Sequence, residues 1–300
     1  MTGIAPATLL DPGVLARIGD LSLLARTVVD GFLHGLHRSM RIGSSFDFAE
    51  HRSYQPGDDL RRIDWRLFGR TDKYFLKTYE ADTNADVLFV VDVSASMDYG
   101  SGPVTKFAYA RFLAASLAWL AQRQGDRVGL ATIGGDLVDV VPSSTRHLQL
   151  ILHTLARTVP GGAGQLPRGL ERVARFRGRS GVVVVISDCY EEPPVLEKTL
   201  GALRARGHDV VVFHILDPAE RDLPWETAVT FEDAESGERL PLLPEELRPK
   251  YHALMAAHQQ ALRDGLARNR VDYVPVTTDQ PLDAALHSYL DRRMLAARLR

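Results

Sequence analysis

Short apolar runs alternate with helical patterns from residue 86 almost to the end of the chain. The apolar runs predict six strands, at 87–91, 127–133, 137–141, 182–186, 210–216 and 271–276. Three of the intervening segments place apolar residues at helical spacing, namely 105–124, 166–176 and 244–269. Because strands alternate with helices, we predict an α/β fold with a mostly parallel sheet covered by helices on both faces. Gly134-Gly135 lies between two strands and predicts a hairpin, which puts one antiparallel strand at an edge.

The residues before this pattern predict helix. Residues 12–38 carry apolar side chains at helical spacing, and Asp11 followed by Pro12 is typical of a helix start. Ser143 or Ser144 is expected to cap a further helix that ends near Thr158. We therefore expect a helical and extended N-terminal region at 1–83, an α/β domain at 84–292 and a basic tail at 293–300.

Composition narrows the class of protein. The 300 residues are 45% hydrophobic and 25% charged, with a formal net charge of −2. This balance is typical of a globular domain and disfavours nucleic acid as a partner, because such partners select an uncompensated basic surface. One cysteine, Cys189, excludes an intrachain disulfide. The apolar runs are far shorter than the roughly 20 residues of a membrane-spanning helix, and no signal-peptide pattern begins the chain, so we expect a cytoplasmic protein.

Two acidic residues follow predicted strands directly. Asp92 ends the run 87–91, and Asp188 follows the run 182–186. Asp92 opens the pattern Asp-x-Ser-x-Ser, which adds the hydroxyls of Ser94 and Ser96. Carboxylate and hydroxyl oxygens at the carboxyl edge of a parallel sheet are the hard ligands that Mg²⁺ or Mn²⁺ prefers. The alternative is that Asp92 and the serines only cap the helix that follows.

These residues resemble a known family. Asp92-Val-Ser94-Ala-Ser96-Met97 is similar to the metal-ion-dependent adhesion site (MIDAS) motif of von Willebrand factor A domains. The segment from Phe48 to Arg66, FAEHRSYQPGDDLRRIDWR, resembles the signature of bacterial domain-of-unknown-function family fifty-eight. Members of that family are generally found beside MoxR-type AAA+ ATPases. The resemblance covers roughly residues 40–295 and implies a von Willebrand A-like fold with a six-stranded sheet.

The resemblance also implies roles for the site residues. Ser94 and Ser96 would contact a divalent cation directly, and Asp92 and Asp188 would hold it directly or through water. The family site usually adds a threonine, but Gly164 stands at the matching position of this chain. A water molecule can take the place of that hydroxyl, because Mg²⁺ commonly keeps several water ligands. In such domains an acidic side chain of a partner completes the coordination, which implies a protein-docking surface.

A second candidate interaction surface lies between Glu50 and Glu80. This segment holds seven Lys or Arg residues and six Asp or Glu residues, interleaved with aromatic residues. It predicts either a partner-binding surface, with Arg61, Arg62, Trp65 and Arg66 as contacts, or a structural collar of paired charges. The near balance of charge favours the collar.

The leading hypothesis is a non-enzymatic interaction module. It would act as adaptor or co-chaperone of a MoxR-type AAA+ ATPase in assembling or activating an unidentified client complex. The chain carries no common nucleophile, zinc-protease or P-loop motif. Two alternatives stay open: a metal-dependent phosphoesterase that uses Asp92 and Asp188, and a metal-free structural scaffold.

Overall fold

The structure of the chain is a computed structural model, which describes residues 10–40, 51–53, 75–77, 85–135, 137–176 and 180–298. Its contacts divide the chain into two units. One unit joins Met1–Phe32 to Ala85–Arg300, and the other is Leu33–Asn84. Within the second unit, β1 (His51–Ser53) and β2 (Phe75–Lys77) pair antiparallel.

A six-stranded sheet organises the first unit. Its strands are β3 (Asp86–Asp92), β4 (Arg127–Ile133), β5 (Leu137–Ser144), β6 (Val182–Ser187), β7 (Asp209–Leu216) and β10 (Asp272–Thr277). They lie in the order β10-β7-β6-β3-β4-β5, and every neighbouring pair is parallel except β4 and β5. The predicted α/β class, the mostly parallel sheet and the antiparallel edge strand are therefore confirmed.

Helices cover both faces of this sheet. Those that the structure describes in the first unit span Pro12–Leu15, Lys106–Arg123, Leu148–Arg157, Leu166–Phe176, Pro193–Ala205, Pro218–Asp222, Pro244–Arg268 and Leu282–Arg298, and a 3₁₀ turn spans Ala95–Asp98. A further helix, Leu21–Met40, begins in this unit and ends in the second. Side chains alternate between the faces of a strand, so Leu88 and Val90 of β3 pack with Leu166 and Leu200 on one side. The helix Lys106–Arg123 packs on β3 and β4 on the other side. Burial on both faces explains why the central strands are almost wholly apolar.

Three local predictions differ from the structure. Ser143 and Ser144 do not cap a helix: β5 continues through them, because Ser144 pairs with Val128 beyond a register shift. The helix instead begins at Leu148, with no side-chain cap. The last helix runs to Arg298, through residues expected to form a tail. The sequence at 217–244 predicts a loop with a small hairpin that turns at 235–238, but a short helix, Pro218–Asp222, follows β7 at the start of this stretch.

Both edges of the six-stranded sheet carry a proline. Pro142 lies in the edge strand β5, and Pro275 lies in the opposite edge strand β10. A separate ribbon of β8 (Val229–Glu232) and β9 (Arg239–Leu242) forms the predicted hairpin between residues 217 and 244. Within the described residues, no helix combines the length and the apolar character needed to cross a membrane.

Candidate functional site

The four predicted site residues lie around one cavity at the carboxyl edge of the sheet. Asp92 ends β3, the turn after it carries Ser94 and Ser96, and Asp188 follows β6. Because β3 and β6 are parallel neighbours, their carboxyl ends meet at the same edge. All four residues line a cavity of about 1050 Å³.

Hydrogen bonds fix the Asp92 carboxylate, which is almost fully buried. The amide of Ser94 donates to Oδ1 at 2.9 Å, and the hydroxyl of Ser187 donates to Oδ2 at 2.6 Å. Ser187 is itself held by the amide of Cys189, which donates to its Oγ at 3.0 Å. Cys189 has a φ of 51°, a left-handed conformation that is uncommon for a residue with a side chain. The chain thus turns sharply just after Asp188, at the rim of the cavity.

The two predicted hydroxyl ligands lie side by side. Ser94 Oγ and Ser96 Oγ are 3.1 Å apart. Two neighbouring ligands of an octahedral Mg²⁺ lie about 3.0 Å apart when each bond is about 2.1 Å. The spacing of these hydroxyls therefore fits adjacent positions on one small divalent cation.

A buried lysine enters the site from the next helix. Lys106 Nζ donates to Asp188 Oδ2 at 2.8 Å and to Glu220 Oε1 at 2.7 Å, and its side chain has no exposed surface. The ammonium also lies 4.6 Å from the ring centroid of Tyr190. Burial alone would lower the pKa of Lys106, but the two carboxylates outweigh it and raise the pKa. Lys106 thus neutralises Asp188 and leaves Asp92 as the carboxylate beside the serines.

Two acids of the site, Asp92 and Glu191, hold protons more tightly than free carboxylic acids. Burial, and then the negative charge of Asp188, raise the pKa of Asp92 to about 6, although hydrogen bonds from Ser187 and Ser94 oppose the shift. Burial raises the pKa of Glu191 to about 7, and Asp92 and Asp188 add to the effect. Both shifts show that the carboxyl groups of Asp92 and Glu191 lie close enough to Asp188 to be affected by its negative charge.

Gly164 borders this site, as the resemblance implied. A Cβ placed on Gly164 would lie 3.6 Å from Ser94 Cβ, so a threonine here would reach the serines. The same Cβ would lie 2.8 Å from Oε1 of Glu235. The carboxylate of Glu235, from the turn between β8 and β9, fills the space that the glycine leaves.

Carboxylates alone do not form a metal cage in this site. In the described parts of the chain, no three His, Cys, Asp or Glu side chains converge as metal ligands. A cation here would depend on the serine hydroxyls and on water, which is coordination that Mg²⁺ accepts.

The far wall of the cavity is apolar and aromatic. It is formed by Leu223, Trp225, Val229, Phe231 and Tyr251. Trp225 and Phe231 pack edge to face, with ring centroids 5.5 Å apart. Arg248 holds the Trp225 segment in place by donating to the carbonyl oxygens of Leu223 and Trp225, each at 3.0 Å.

Sequence reasoning missed Lys106, Ser187, Glu191 and Glu220. Lys106 is the first residue of its helix, after the cap Thr105. A positive charge at a helix N-terminus interacts unfavourably with the helix dipole. A lysine at this position therefore indicates that carboxylates lie nearby to stabilise it. Glu220 belongs to the capping box of the helix Pro218–Asp222, a pattern readable as Asp-Pro-Ala-Glu. The predicted partner-binding residues Arg61, Arg62, Trp65 and Arg66 lie outside the described residues.

Solved structures with a similar arrangement include domains from several proteins. BatB of Bacteroides thetaiotaomicron is 16% identical, with a TM-score of 0.46, over 69% of this chain and 98% of that chain. An aerotolerance-related membrane protein of Bacteroides fragilis is also 16% identical, with a TM-score of 0.47, over 68% and 96% of the two chains. The VWA domain of SpRpn10 is 14% identical, with a TM-score of 0.43, over 67% and 93%.

Sequence comparison assigns the family. Uncharacterized proteins of Mycobacterium tuberculosis and Mycobacterium bovis are each 35% identical over 233 residues, covering 76% of this chain and 73% of the relative. The family model described as protein of unknown function DUF58 matches residues 50–261. The match includes the greater part of the Phe48–Arg66 signature as well as Asp92, Ser94, Ser96 and Asp188. The chain therefore belongs to the DUF58 family.

Proposed function

We propose that this protein is a non-enzymatic interaction module that docks a partner at the carboxyl edge of its sheet through a divalent cation, Mg²⁺ or Mn²⁺. Ser94, Ser96 and Asp92 contact the cation directly, and Asp188 acts through water. The observation that carries the proposal is the 3.1 Å separation of the serine hydroxyls beside a buried, hydrogen-bonded carboxylate.

The chemistry of the site supports a cation. Asp92 and Glu191 are buried close to Asp188, and a bound divalent cation would relieve their mutual repulsion. Lys106 supplies one positive charge but directs it at Asp188 and Glu220. The oxygens of Asp92, Ser94 and Ser96 therefore remain for the cation.

Glu235 offsets the missing threonine in this proposal. Its carboxylate stands where the side chain of residue 164 would otherwise begin. A carboxylate next to the serines, acting directly or through water, would add the charge and the oxygen ligand that Gly164 does not provide.

The partner we propose is a MoxR-type AAA+ ATPase. The support is the resemblance of the Phe48–Arg66 segment to a family generally found beside such ATPases. In this role the protein acts as adaptor or co-chaperone, and it presents a client protein to the ATPase. A cation with an open coordination position would bind an acidic side chain of the ATPase or of the client.

Calorimetric titration with Mg²⁺ and Mn²⁺ tests the cation site. We expect the wild-type protein to bind one cation, and we expect Asp92→Asn and Ser96→Ala to abolish binding. The matched control is Ser288→Ala, because the hydroxyl of Ser288 donates to the Ala284 carbonyl on the last helix. We expect this variant to bind the cation as wild type does. A cation that binds only the folded state raises the free energy of unfolding by about 2.7 kcal/mol at 100 times its Kd, which thermal unfolding detects.

Association with the MoxR-type ATPase is then measured with and without the cation. We expect association that needs Mg²⁺ and is lost in Asp92→Asn. If neither cation binds and association is the same in both proteins, the cation-bridged docking model is wrong and the scaffold alternative stands. Hydrolysis of p-nitrophenyl phosphate that disappears in Asp92→Asn would instead identify a phosphoesterase.

A further inference from the structure

The β8–β9 ribbon presents one strand edge to the cavity. All four residues of β8 line the cavity wall, as do Asp233 to Glu235 of the turn, whereas no residue of β9 does. β8 pairs with β9 alone among the described strands. The side of the ribbon that faces the cavity is therefore the side that β9 does not occupy.

Backbone register shows which groups of β8 point toward that side. In an antiparallel pair, successive residues alternate between facing the partner strand and facing away from it. Asp233 faces β9, because its amide donates to the Glu238 carbonyl at 2.9 Å. Phe231 and Val229 lie two and four residues before Asp233, so their amide and carbonyl groups also face β9. The amide and carbonyl groups of Thr230 and Glu232, which lie between these residues, point away from β9.

Two observations support this assignment. Thr230 lies opposite Pro241, which has no amide hydrogen to give a cross-strand bond. In the described part of the chain, the backbone groups of Thr230 and Glu232 make no hydrogen bond to any turn, loop or helix cap. A strand edge of this kind is a template for an added strand.

The negative charge of the cavity lining favours a positively charged added strand. Among the residues that the structure describes, seven carboxyl groups line the cavity and no lysine or arginine does: Asp92, Asp188, Glu191, Glu220, Glu232, Asp233 and Glu235. Lys106 and Arg239 offset part of this charge from behind the wall, through Glu220 and Glu232. Even with a divalent cation bound beside Asp92, negative charge remains in excess. The same wall carries the apolar side chains of Val229 and Phe231, against which apolar side chains can pack.

We propose that the partner docks by adding an extended, basic segment to the free edge of β8. The inference rests on the proposed role of this cavity as a docking surface and names the chemistry of the segment that enters it. Side chains of an added strand alternate in step with those of β8. Apolar side chains of the segment would lie next to Val229 and Phe231, and arginine or lysine side chains would lie on the face of Thr230 and Glu232.

Synthetic peptides test the pattern and the charge. The probe is a fluorescein-labelled peptide of about eight residues, the length of an ordinary strand, that alternates valine with arginine. One control peptide contains the same residues in two blocks, with four valines before four arginines. The second control alternates valine with glutamate. Binding to the wild-type protein is measured by fluorescence anisotropy, in excess EDTA and in excess Mg²⁺.

Protein variants test the strand edge itself. Thr230→Pro removes the outward amide of β8 and leaves the ladder with β9 intact, so we expect affinity for the alternating basic peptide to fall about tenfold or more. Thr230→Val removes the hydroxyl and keeps the amide, and it restores the wild-type affinity. Thr230→Val is therefore the matched control, because a proline at Arg239, an outward-facing position of β9, would also remove the ion pair with Glu232. Thermal unfolding checks that each variant is folded.

The expected result is binding of the alternating basic peptide, at least about tenfold tighter than either control peptide and lost selectively in Thr230→Pro. This selectivity should persist in EDTA, so loss of the cation site alone would not abolish it. Equal binding of the two arginine peptides, equal affinity in Thr230→Pro, or no binding of the basic peptide at about 1 mM would each overturn the proposal. A preference for the glutamate peptide that needs Mg²⁺ would overturn it while supporting the cation-bridged docking model.

Discussion

Replacement of Lys106 by methionine removes the positive charge that holds the site together. The Lys106 side chain is fully buried, and its partners Asp188 and Glu220 are exposed by only 4% and 15% of their side-chain area. Methionine keeps the apolar stem, so the change isolates the ammonium and its two hydrogen bonds. Removal of one member of a buried ion pair costs about 3–5 kcal/mol, because the other member stays buried without compensation. We expect Lys106→Met to lower the free energy of unfolding by about 3 kcal/mol at pH 7.5, since Glu220 keeps some contact with water.

The loss of stability in Lys106→Met should depend on pH. Without Lys106, the buried carboxylates of the site have no positive charge beside them, so burial and mutual repulsion favour their protonated form in the folded protein. The folded variant then binds more protons than the unfolded variant. Its free energy of unfolding therefore rises as the pH falls toward the pKa of a carboxyl group in the unfolded chain. The difference between Lys106→Met and wild type should therefore shrink between pH 7.5 and pH 5.

Urea unfolding followed by circular dichroism at both pH values measures the effect. Lys250→Met, which removes an exposed lysine, is the control and should change stability little. The double variant Lys106→Met with Asp188→Asn should recover part of the loss, because it removes the unpaired charge. A loss under about 1 kcal/mol, or one that is the same at both pH values, would refute the role assigned to this ion pair.

Three further predictions concern neighbouring groups. Burial, and then the charges of His258 and Lys106, lower the pKa of His214 from 6.5 to about 3. The unfolded chain therefore binds the extra proton below pH 6.5, and wild type should lose about 2 kcal/mol relative to His214→Asn between pH 7 and pH 5 in urea unfolding. Gly164→Thr supplies the missing hydroxyl, but its Cβ would displace Oε1 of Glu235, which lies 2.8 Å from that position. In a Glu235→Ala background, Gly164→Thr should therefore tighten Mg²⁺ binding about tenfold in calorimetry, whereas Gly164→Ala should not; equal affinities would contradict the placement of this position. Thr105→Ala removes the cap in which Thr105 Oγ1 accepts from the Ala108 amide, and should cost about 1 kcal/mol, while Thr105→Ser should cost much less; equal losses would assign the effect to the methyl group.

The fold could be predicted from the sequence because its signals are long and consistent. Five apolar residues in a row at 182–186, and a helical pattern across 105–124, leave few arrangements other than a parallel sheet with helices on both faces. The carboxyl ends of parallel strands share one edge, so the common location of Asp92 and Asp188 followed from the strands alone. Boundaries set by long-range pairing were not predictable: Ser144 extends β5 because Val128 lies opposite it.

The candidate site was only partly predictable, for a related reason. The Asp-x-Ser-x-Ser pattern is local in sequence, so its residues were found. Lys106 reaches Asp188 and Glu220 across 82 and 114 positions of the chain, and only the packed helix brings them together. The contact of Glu235 with the space beside Gly164 is equally remote. Whether these residues bind a cation stays a prediction.

The prolines in the two edge strands of the six-stranded sheet disfavour strand pairing between copies of this protein. A parallel or antiparallel neighbour must find a run of amide hydrogens along an edge strand, and Pro142 in β5 and Pro275 in β10 each interrupt that run. Sheet-to-sheet polymerisation at high local concentration is thereby disfavoured at both ends. A molecule protected in this way can keep the short edge of β8 open for a partner without inviting growth of the main sheet.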